Sequence, residues 1–204
     1  MYKFPIIVFE GIEGSGKSFH IKNLKKYLRK KKIRFISLRE PGGSKNSEKI
    51  RKLILSNKSN FNKFTDLLLY ISSRNENYQN ILKKNYNKKV ILIDRFVDST
   101  IAYQHYGMGI NKNLILKLNN IVLNKIKPNF TFLNIVNMKN LKNRINKRSK
   151  NRYDKFNNKF YNKVQNGFIK LAKNKKNYMI INSNLSISEN KKIIIKKINS
   201  ILSL

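Results

Sequence analysis

FPIIVFEGIEGSGKS, residues 4–18, is the stretch of the chain that decides the fold. Its first half is a continuous apolar run with β-branched residues, which is typical of a strand buried on both faces of a sheet. Its second half, GIEGSGKS (residues 11–18), has the two fixed glycines, the lysine and the serine of a P-loop. An amphipathic stretch follows and predicts a helix. A strand, a P-loop and a helix in this order predict a binding site for a nucleoside triphosphate.

The chemistry expected of this loop comes from its backbone and from two side chains. Backbone N–H groups at the start of a helix form a concavity that binds anions. Lys17 is expected to reach the β- and γ-phosphates of ATP, and the Ser18 hydroxyl is expected to ligate Mg²⁺. The alternative is a glycine-rich turn that matches the motif by chance. The predicted ATP-binding residues are Gly11, Ile12, Glu13, Gly14, Ser15, Gly16, Lys17 and Ser18.

The rest of the chain alternates apolar runs with amphipathic stretches. Further strands are predicted at residues 33–38, 89–94, 129–137 and 179–182. Helices are predicted at residues 18–32, 46–56, 61–84, 98–106 and 111–126, and in the last 16 residues. Residues 139–176 are also predicted to be helical, but interrupted by a charged stretch. Such alternation implies a parallel sheet covered by helices on both faces. We therefore predict one α/β domain over residues 1–204, with a three-layer P-loop NTPase fold and a parallel sheet of about five strands.

The formal net charge of +35 raises the question of nucleic-acid binding. Lysine outnumbers arginine 36 to 9, and Lys, Asn and Ile, whose codons are rich in A and T, make up nearly half of the chain. Because the lysines are scattered over loops, helix faces and both termini, we interpret them as a solvated surface. A basic nucleic-acid-binding protein with a vestigial P-loop is the alternative of a different class.

The composition also bears on other classes of protein. Cysteine is absent, which excludes disulfides, zinc fingers and thiol catalysis. No apolar run approaches the roughly 18 residues needed to span a bilayer. A strand-like run begins at Phe4, so we expect no signal peptide before it. These features predict a soluble cytoplasmic protein without a membrane contact.

Arginine and the acidic residues are scarce, so their positions are informative. If the composition drifts towards Lys and Asn, the arginines and carboxylates that remain mark positions at which Lys or Asn cannot perform the same role. Acidic residues that lie in motif segments include Glu10, Glu13, Glu40, Asp94 and Asp98. The planar fork of arginine matches phosphate oxygens in a way that lysine does not. This distribution indicates a protein that handles phosphates.

The segment LIDRF, residues 92–96, supplies a second half to the site. Asp94 is expected at the carboxyl end of a buried strand, where open α/β sheets place their ligands. It can hold a metal ion through water, while Arg95 can reach a phosphate. The alternative is an Asp–Arg pair that caps the next helix.

Six motifs occur in a fixed order along the chain. They are EGIEGSGKS, REPGGS, EKIRKLIL, LLYISSRNE, DRFVDSTIAYQHYGMGI and RSKNRYDKFNNKFYNKV. In this order the chain resembles the bacterial-type thymidylate kinases over nearly its whole length. The combination of REPGG with the later DR and AYQ segments is the most specific part of the resemblance.

The resemblance implies roles for the residues of an acceptor site. Glu13 matches a carboxylate that accepts a hydrogen bond from the 3′-hydroxyl of the acceptor's sugar. Arg51, Arg74 and Arg95 match basic residues that grip the monophosphate and read the base edge. Tyr103 matches a residue that crowds the sugar 2′ position. The predicted substrate-binding residues are Glu13, Arg39, Arg51, Tyr70, Arg74, Arg95, Ser99, Tyr103 and Gln104.

Some of these residues have other interpretations. Tyr70 and Arg74 are four residues apart and share a helix face, so one can stack on a pyrimidine while the other donates to its carbonyl group. A core tyrosine with a snorkelling arginine is the alternative for this pair. The AYQ segment, with Gln104 expected near the base, can equally be an ordinary helical turn. Arg39 begins REPGGS, which we interpret as a wall of the acceptor site.

A segment of about residues 144–156 is the predicted lid. Arg144, Arg148 and Arg152 have four-residue spacing, which would place them on one face of a helix, and phosphoryl transfer needs such positive charge. Gly14 stands where some relatives have an arginine, so the resemblance assigns this charge to the lid. A solvated basic helix is the alternative, and the choice between Arg148 and Arg152 is open. The predicted catalytic residues are Lys17, Arg95, Arg148 and Arg152, and the predicted metal ligands are Ser18 and Asp94.

The motifs and the resemblance together predict an ATP- and Mg²⁺-dependent kinase that converts dTMP to dTDP. A phosphate dianion is already a competent nucleophile, so direct in-line transfer needs no general base. Kinases for another nucleoside monophosphate or for a deoxynucleoside are the alternatives within the enzyme class. The resemblance also implies a homodimer, and no specific nucleic-acid partner is expected.

Overall fold

Five parallel strands form the centre of the part of the chain that the computed structural model describes, residues 4–146 and 151–204. They are β1 (Ile6–Glu10), β2 (Phe35–Arg39), β3 (Val90–Asp94), β4 (Phe130–Ile135) and β5 (Tyr178–Asn182). Their order across the sheet is β2-β3-β1-β4-β5, and every pairing is parallel. The predicted α/β class and the number of strands are confirmed.

The strand order follows from how apolar each strand is. All residues of the central strand β1 are buried, whereas most residues of the two edge strands, β2 and β5, are partly or fully exposed. Ile7 and Phe9 of β1 pack on one face of the sheet, and Ile6 and Val8 pack on the other. A strand that is apolar on both sides has to lie between two layers of helices.

Helices of different lengths form the layers on the two faces of the sheet. They are α1 (Lys17–Lys30), α2 (Lys45–Leu55), α3 (Lys63–Asn77), α4 (Lys83–Asn85), α5 (Val97–Thr100), α6 (Lys112–Leu123), α7 (Met138–Ile145), α8 (Asn158–Ala172) and α9 (Ile187–Leu202). Helices α1 and α9 cover the Ile7 and Phe9 face of the sheet. None of the helices in the described ranges is both long and apolar enough to cross a membrane.

Two predicted helices change their geometry part of the way along. The helix predicted at residues 98–106 begins as α5 and continues as the π-helical segment Ile101–Gly107. The helix predicted at residues 61–84 is α3, followed by the π-helical segment Tyr78–Leu82 and then by α4. The strands and helices were therefore predicted in the right order, but not these local transitions.

The interruption predicted within the helical stretch at residues 139–176 is confirmed. Helix α7 ends at Ile145, the segment Arg152–Lys155 forms a 3₁₀ helix, and α8 begins at Asn158. The side chains of Asn151 and Asn157 accept hydrogen bonds from the backbone N–H groups that follow them. Asparagine at a helix N-cap begins a new helix, so these two residues divide the stretch.

The parallel strands bring their polar carboxyl ends to one edge of the sheet. Phe9 pairs with Asp94 across β1 and β3, and Glu10 pairs with Leu133 across β1 and β4. The P-loop leaves β1 at this same edge, between its two neighbours. This is where open α/β sheets bind ligands.

Candidate active site

The P-loop is closed around its own lysine. The Nζ atom of Lys17 donates hydrogen bonds to the carbonyl oxygens of Gly11 and Ile12, at 2.9 and 2.8 Å. Gly16 precedes α1 with a φ of 91°, in the left-handed region that favours glycine. Lys17 is thus bound inside the loop that is expected to hold the phosphates.

Gly11 is required by the strand that lies beneath the loop. Its φ is +135°, and a Cβ atom on it would lie 2.2 Å from the carbonyl oxygen of Asn134 in β4. No side chain fits there unless the backbone of β4 moves. The first fixed glycine of the motif therefore allows the P-loop to turn directly above the sheet.

The Lys17 ammonium is easier to deprotonate than that of an ordinary lysine. Burial and the neighbouring Arg95 charge lower its pKa to about 8, although Asp94 and Glu13 act in the opposite direction. A bound phosphate raises this pKa again, because an opposite charge favours the ammonium form.

Ser18 and Asp94 form the part of the site that can hold Mg²⁺. The Ser18 hydroxyl donates to Oδ2 of Asp94 at 2.8 Å, so the two oxygens come from the P-loop and from the end of β3. Among the described residues there is no cluster of three or more His, Cys, Asp or Glu side chains for a metal ion. One hydroxyl and one carboxylate fit Mg²⁺, which keeps several waters and takes further oxygens from substrate phosphates.

A cavity of about 250 Å³ opens beside the P-loop. Most of the predicted site residues line it, although they come from distant parts of the sequence. The predicted residues that line it are Glu13, Gly14, Lys17, Ser18, Arg39, Arg51, Tyr70, Arg74, Asp94, Arg95, Ser99, Tyr103 and Gln104. Gly11, Ile12, Ser15 and Gly16 belong to the P-loop but are not part of this lining.

Arg95 is the centre of a charged cluster in this cavity. Its Nη2 lies 2.8 Å from Oε1 of Glu13, and its Nη1 donates to the carbonyl oxygen of Gly11 at 2.7 Å. The Tyr103 hydroxyl donates to the other carboxylate oxygen of Glu13. Burial alone would raise the pKa of Glu13, but Arg95 and Lys17 outweigh it and lower that pKa. Glu13 is therefore held as a carboxylate between a cation and a phenol.

Glu10 lies beneath this cluster, and no role was predicted for it from the sequence. It is buried; its Oε1 accepts from the backbone N–H groups of Phe96 and Ser99, and its Oε2 accepts from the Ser99 hydroxyl at 2.5 Å. Burial and the Asp98 charge raise the pKa of Glu10 to about 7. The carboxyl group thus fixes the turn that carries Arg95. A glutamate kept in such an acid-poor chain was the signal for this role.

Arg74 is buried in the wall of the cavity, although arginine is rarely buried unless it is paired. Its Nε donates to Glu40 at 2.7 Å, and its Nη1 donates to Thr100 at 3.0 Å and to Asn119 at 2.5 Å. Glu40 is joined to Pro41 by a cis peptide bond. Arg74 and Glu40 were identified from the sequence, whereas Thr100 and Asn119 were missed.

The remaining residues of the acceptor wall differ in how firmly they are held. Arg39 is exposed and pairs with Glu48 at 3.1 Å, whereas Arg51 donates to the carbonyl oxygen of Pro41 at 2.6 Å. Gln104 is buried, and its Nε2 has no hydrogen-bond partner in the described part of the chain. A buried amide N–H without a partner is costly, so it favours a ligand that accepts a hydrogen bond there.

Arg144 and Arg152 lie in different helices, so the prediction that they share one helical face is wrong. Arg144 lies in α7 and donates to the carbonyl oxygens of Gly14 and Ser183, at 2.9 and 2.7 Å. Arg152 begins the 3₁₀ helix, and the N-cap residue before it, Asn151, has an extended backbone. Arg148 lies outside the described residues, and its role stays a prediction.

Arg152 lies beside the first cavity rather than in its lining. Its Nη2 lies 2.5 Å from Oδ1 of Asp66 in α3, and both residues line a second cavity of about 680 Å³. The hydroxyl of the next residue, Tyr153, donates to Oδ2 of Asp66 at 2.8 Å. Tyr153 lines the first cavity, and its ring makes edge contacts with Tyr70 and Tyr103. Asp66 thus anchors the C-terminal part of the predicted lid through Arg152 and Tyr153.

Comparisons with known proteins agree with this geometry. The sequence model of the thymidylate kinase family matches residues 9–194. The thymidylate kinase of Sulfurihydrogenibium sp. (strain YO3AOP1) is 38% identical over 192 residues, covering 93% of this chain and 94% of that protein. The thymidylate kinase of Thermosipho africanus is 36% identical over 199 residues, covering 95% and 99%. The crystal structure of thymidylate kinase from Ehrlichia chaffeensis superposes with a TM-score of 0.78 and 32% identity, covering 96% of this chain and 98% of that chain.

Proposed function

The chain belongs to the thymidylate kinase family, and on that premise we propose that it transfers the γ-phosphoryl group of ATP to dTMP, forming dTDP. One observation carries the proposal: a single cavity is lined both by the P-loop residues Lys17 and Ser18 and by the acceptor residues Arg95 and Tyr103. A donor phosphate and an acceptor phosphate can therefore meet without crossing bulk water.

On the donor side, the P-loop binds the phosphates of ATP. Lys17 leaves the carbonyl oxygens of Gly11 and Ile12, to which it is bonded, and neutralises the β- and γ-phosphate oxygens. Ser18 and Asp94 hold Mg²⁺, which neutralises charge on the phosphate oxygens when it is bound. The contact between these two side chains at 2.8 Å supports that assignment.

On the acceptor side, the charged cluster orients dTMP. Arg95 binds the monophosphate, and Arg51 adds a second cation to the same wall. Glu13, held as a carboxylate, accepts a hydrogen bond from the sugar 3′-hydroxyl. Tyr103 crowds the 2′ position and so disfavours ribonucleotides, and Ser99 supports Arg95 at 3.3 Å.

The base is read by the buried part of the wall. Tyr70 stacks on the pyrimidine, and Arg74 donates to its carbonyl oxygen. The free amide nitrogen of Gln104 supports a second polar contact to the base. Arg39 closes the wall at its exposed end, where it already pairs with Glu48.

Transfer itself requires positioning and neutralisation of charge, because the acceptor phosphate is already a nucleophile. The γ-phosphoryl group moves in line between the donor and acceptor oxygens, and no covalent intermediate forms on the protein. Arg148 and Arg152 supply positive charge to the moving group. For Arg152 this role requires the guanidinium to exchange Asp66 for phosphate when the lid closes.

The enzyme forms a homodimer through the outer face of α3 and α6. These neighbouring helices expose a group of large apolar side chains, which is typical of an interface between subunits. They are Phe64, Leu68, Leu114 and Ile121, with exposures of 47, 41, 37 and 70%. Light scattering should therefore give a dimer that Ile121→Lys converts to a monomer, whereas Ile187→Lys on α9 leaves it dimeric. A monomeric wild-type protein would contradict this interface.

The cell compartment follows from the co-substrate. A kinase that consumes ATP works where ATP is supplied, which supports the cytoplasm. No specific nucleic-acid partner is needed for this activity.

The test is coupled ADP release with equal ATP-Mg and with dTMP, dUMP, dCMP, AMP or thymidine as the acceptor. We expect turnover that depends on dTMP and that is lost with thymidine, which has no phosphate for Arg95 to bind. If another monophosphate or the nucleoside is phosphorylated faster than dTMP, that compound and not dTMP is the acceptor. If no nucleotide supports turnover, binding to nucleic acid at physiological salt becomes the next measurement.

A further inference from the structure

Helix α6 carries one amide in its buried stripe. Ile115, Asn119 and Leu123 are its buried residues, and Asn119 is 2% exposed. An amide in such a position costs free energy unless its polar atoms are hydrogen-bonded. Asn119 does not line the cavity of about 250 Å³ beside the P-loop, here called the acceptor cavity. Its hydrogen bonds therefore have to explain why an amide is buried at this position.

The contacts of Asn119 orient its amide group. Its Nδ2 donates to the carbonyl oxygen of Ile115 at 2.7 Å, so this nitrogen is used within α6 itself. Its Oδ1 accepts from Nη1 of Arg74 at 2.5 Å. Because one end of the amide is fixed to the helix backbone, the oxygen is held towards Arg74.

The partners of Arg74 use three of its five N–H groups. Nε–H donates to Glu40, and the two hydrogens of Nη1 are directed to Thr100 and Asn119. Nη2 has no hydrogen-bond partner in the described ranges, and Arg74 lines the acceptor cavity. A guanidinium group is planar, so holding Nε and Nη1 also fixes the direction of Nη2.

We propose that Asn119 is a positioning residue for acceptor selection, which holds Arg74 so that its free Nη2 donates to the C4 carbonyl of the pyrimidine. The inference rests on the proposed function, because it assigns the way in which the base of dTMP is read. Glu40 already balances the charge of Arg74. The neutral oxygen of Asn119 therefore completes the orientation without a second anion that would draw the guanidinium away from the ligand.

The position of Asn119 gives α6 an effect on a site that it does not line. The three anchors of Arg74 come from three places in the fold: Glu40 follows β2, Thr100 ends α5, and Asn119 lies in the middle of α6. Without Asn119, Nη1 keeps only its longer bond to Thr100, at 3.0 Å, so the guanidinium plane is held less firmly and can tilt. The base contact then weakens, while the P-loop and Arg95 are unchanged.

The experiment compares dTMP with dCMP, whose C4 amino group cannot accept a hydrogen bond from Arg74. Asn119→Leu removes the oxygen but keeps the volume of the side chain. We expect the KM for dTMP to rise about tenfold, as for the loss of one hydrogen bond to a charged group. The ratio of kcat/KM for dTMP over dCMP should fall by a similar factor. The KM for ATP and kcat should stay within about twofold.

Two further variants make the result specific. Asn120→Ala on the same helix changes an exposed asparagine and should match the wild type, whereas Asn119→Ala should share the selectivity loss of Asn119→Leu. Asn119→Asp keeps an oxygen for Arg74 but adds a second anion beside it, so it should also lower the preference for dTMP. If Asn119→Leu does not fold, Asn119→Ala is measured in its place.

The inference is overturned if the Asn119 variants keep the wild-type ratio, or if they lower kcat at an unchanged KM for dTMP, which is the result of a smaller folded fraction. A wild-type protein without preference for dTMP over dCMP would instead refute the proposed function, so the two failures are distinguishable.

Discussion

Two parts of the molecule each contain an arginine paired with a carboxylate: the P-loop end of the site, with Arg95 and Glu13, and the lid exit, with Arg152 and Asp66. The two ion pairs have different surroundings. Arg95 and Glu13 lie 2.8 Å apart with side chains 16 and 17% exposed, and Arg152 and Asp66 lie 2.5 Å apart with side chains 15 and 4% exposed. Arg95 lines the cavity that contains Lys17, whereas Arg152 lines the neighbouring one. Similar ion pairs can therefore serve the ligand in one place and anchor the chain in another.

The difference lies in where the partners come from. At the P-loop end, Arg95 follows directly after Asp94 at the end of β3, and its partner Glu13 is part of the motif that follows β1. At the lid exit, Arg152 is held by Asp66, which lies in α3 outside the six motifs, although the two pairs span similar separations along the chain, 82 and 86 residues. The motifs therefore predict that Arg95 and Glu13 both belong to the site, but neither ion pair was predicted from the sequence.

The largest effect is expected at the P-loop end, from Lys17→Ala. Removal of this ammonium leaves the developing charge on the phosphates unbalanced, so kcat should fall about a hundredfold or more. Lys22→Ala, an exposed lysine of α1, is the matched control and should retain wild-type activity. Steady-state kinetics and thermal unfolding are measured together. A folded Lys17→Ala protein with more than about a tenth of the wild-type rate would refute the role of Lys17.

Arg95→Lys tests whether the P-loop pair needs a fork and not only a charge. Arg95 binds the Gly11 carbonyl oxygen through Nη1 and Glu13 through Nη2, a planar fork that the single nitrogen of lysine cannot reproduce, so kcat/KM for dTMP should fall about tenfold to a hundredfold. The KM for ATP should change little, because the donor phosphates are held by the P-loop. Arg34→Lys at an exposed position is the control. Equal kinetics in the two variants would show that charge alone is sufficient at residue 95.

At the lid exit, Arg152→Met and Asp66→Asn separate catalysis from anchoring. If Arg152 moves to the transferred group, its loss should lower kcat about tenfold or more, whereas Asp66→Asn should change kcat by less than about threefold. Single-turnover rates of both variants and of the double variant are the measurement. Equal losses that do not add in the double variant would assign Arg152 to the anchor alone.

The smallest effect on activity is expected from Glu10→Gln, which acts beneath the P-loop end. Because the pKa of Glu10 is raised from 4.5 to about 7, the folded chain holds a proton that the unfolded chain has released, and stability falls as the pH rises through this window. From pH 5 to 7 the wild type should lose about 2 kcal/mol more of its free energy of unfolding than Glu10→Gln. Urea denaturation at both pH values measures this difference. The same pH dependence in both proteins would contradict the buried, protonated carboxyl group.

The parts of the molecule that follow from contiguous residues were predictable. The P-loop, the Asp94–Arg95 pair, the five strands and the α/β class all depend on local runs of residues with a fixed chemical meaning, such as glycine beside lysine and serine or an uninterrupted apolar strand. Helix N-caps were harder to predict, since asparagine is abundant throughout this chain. The interruption of residues 139–176 was predicted from its charged residues, but not that Asn151 and Asn157 are the N-caps that begin the new helices.

The sequence by itself determined the fold class, the phosphate-binding loop and most of the residues that line the cavity. Only the tertiary structure decided which partner each buried charged or polar group takes: Asp66 for Arg152, Asn119 for Arg74, and the Phe96–Ser99 turn for Glu10. The physical reason is that a hydrogen bond depends on distance and direction in space. Residues far apart in the sequence acquire these only when the sheet and its two helical layers pack together.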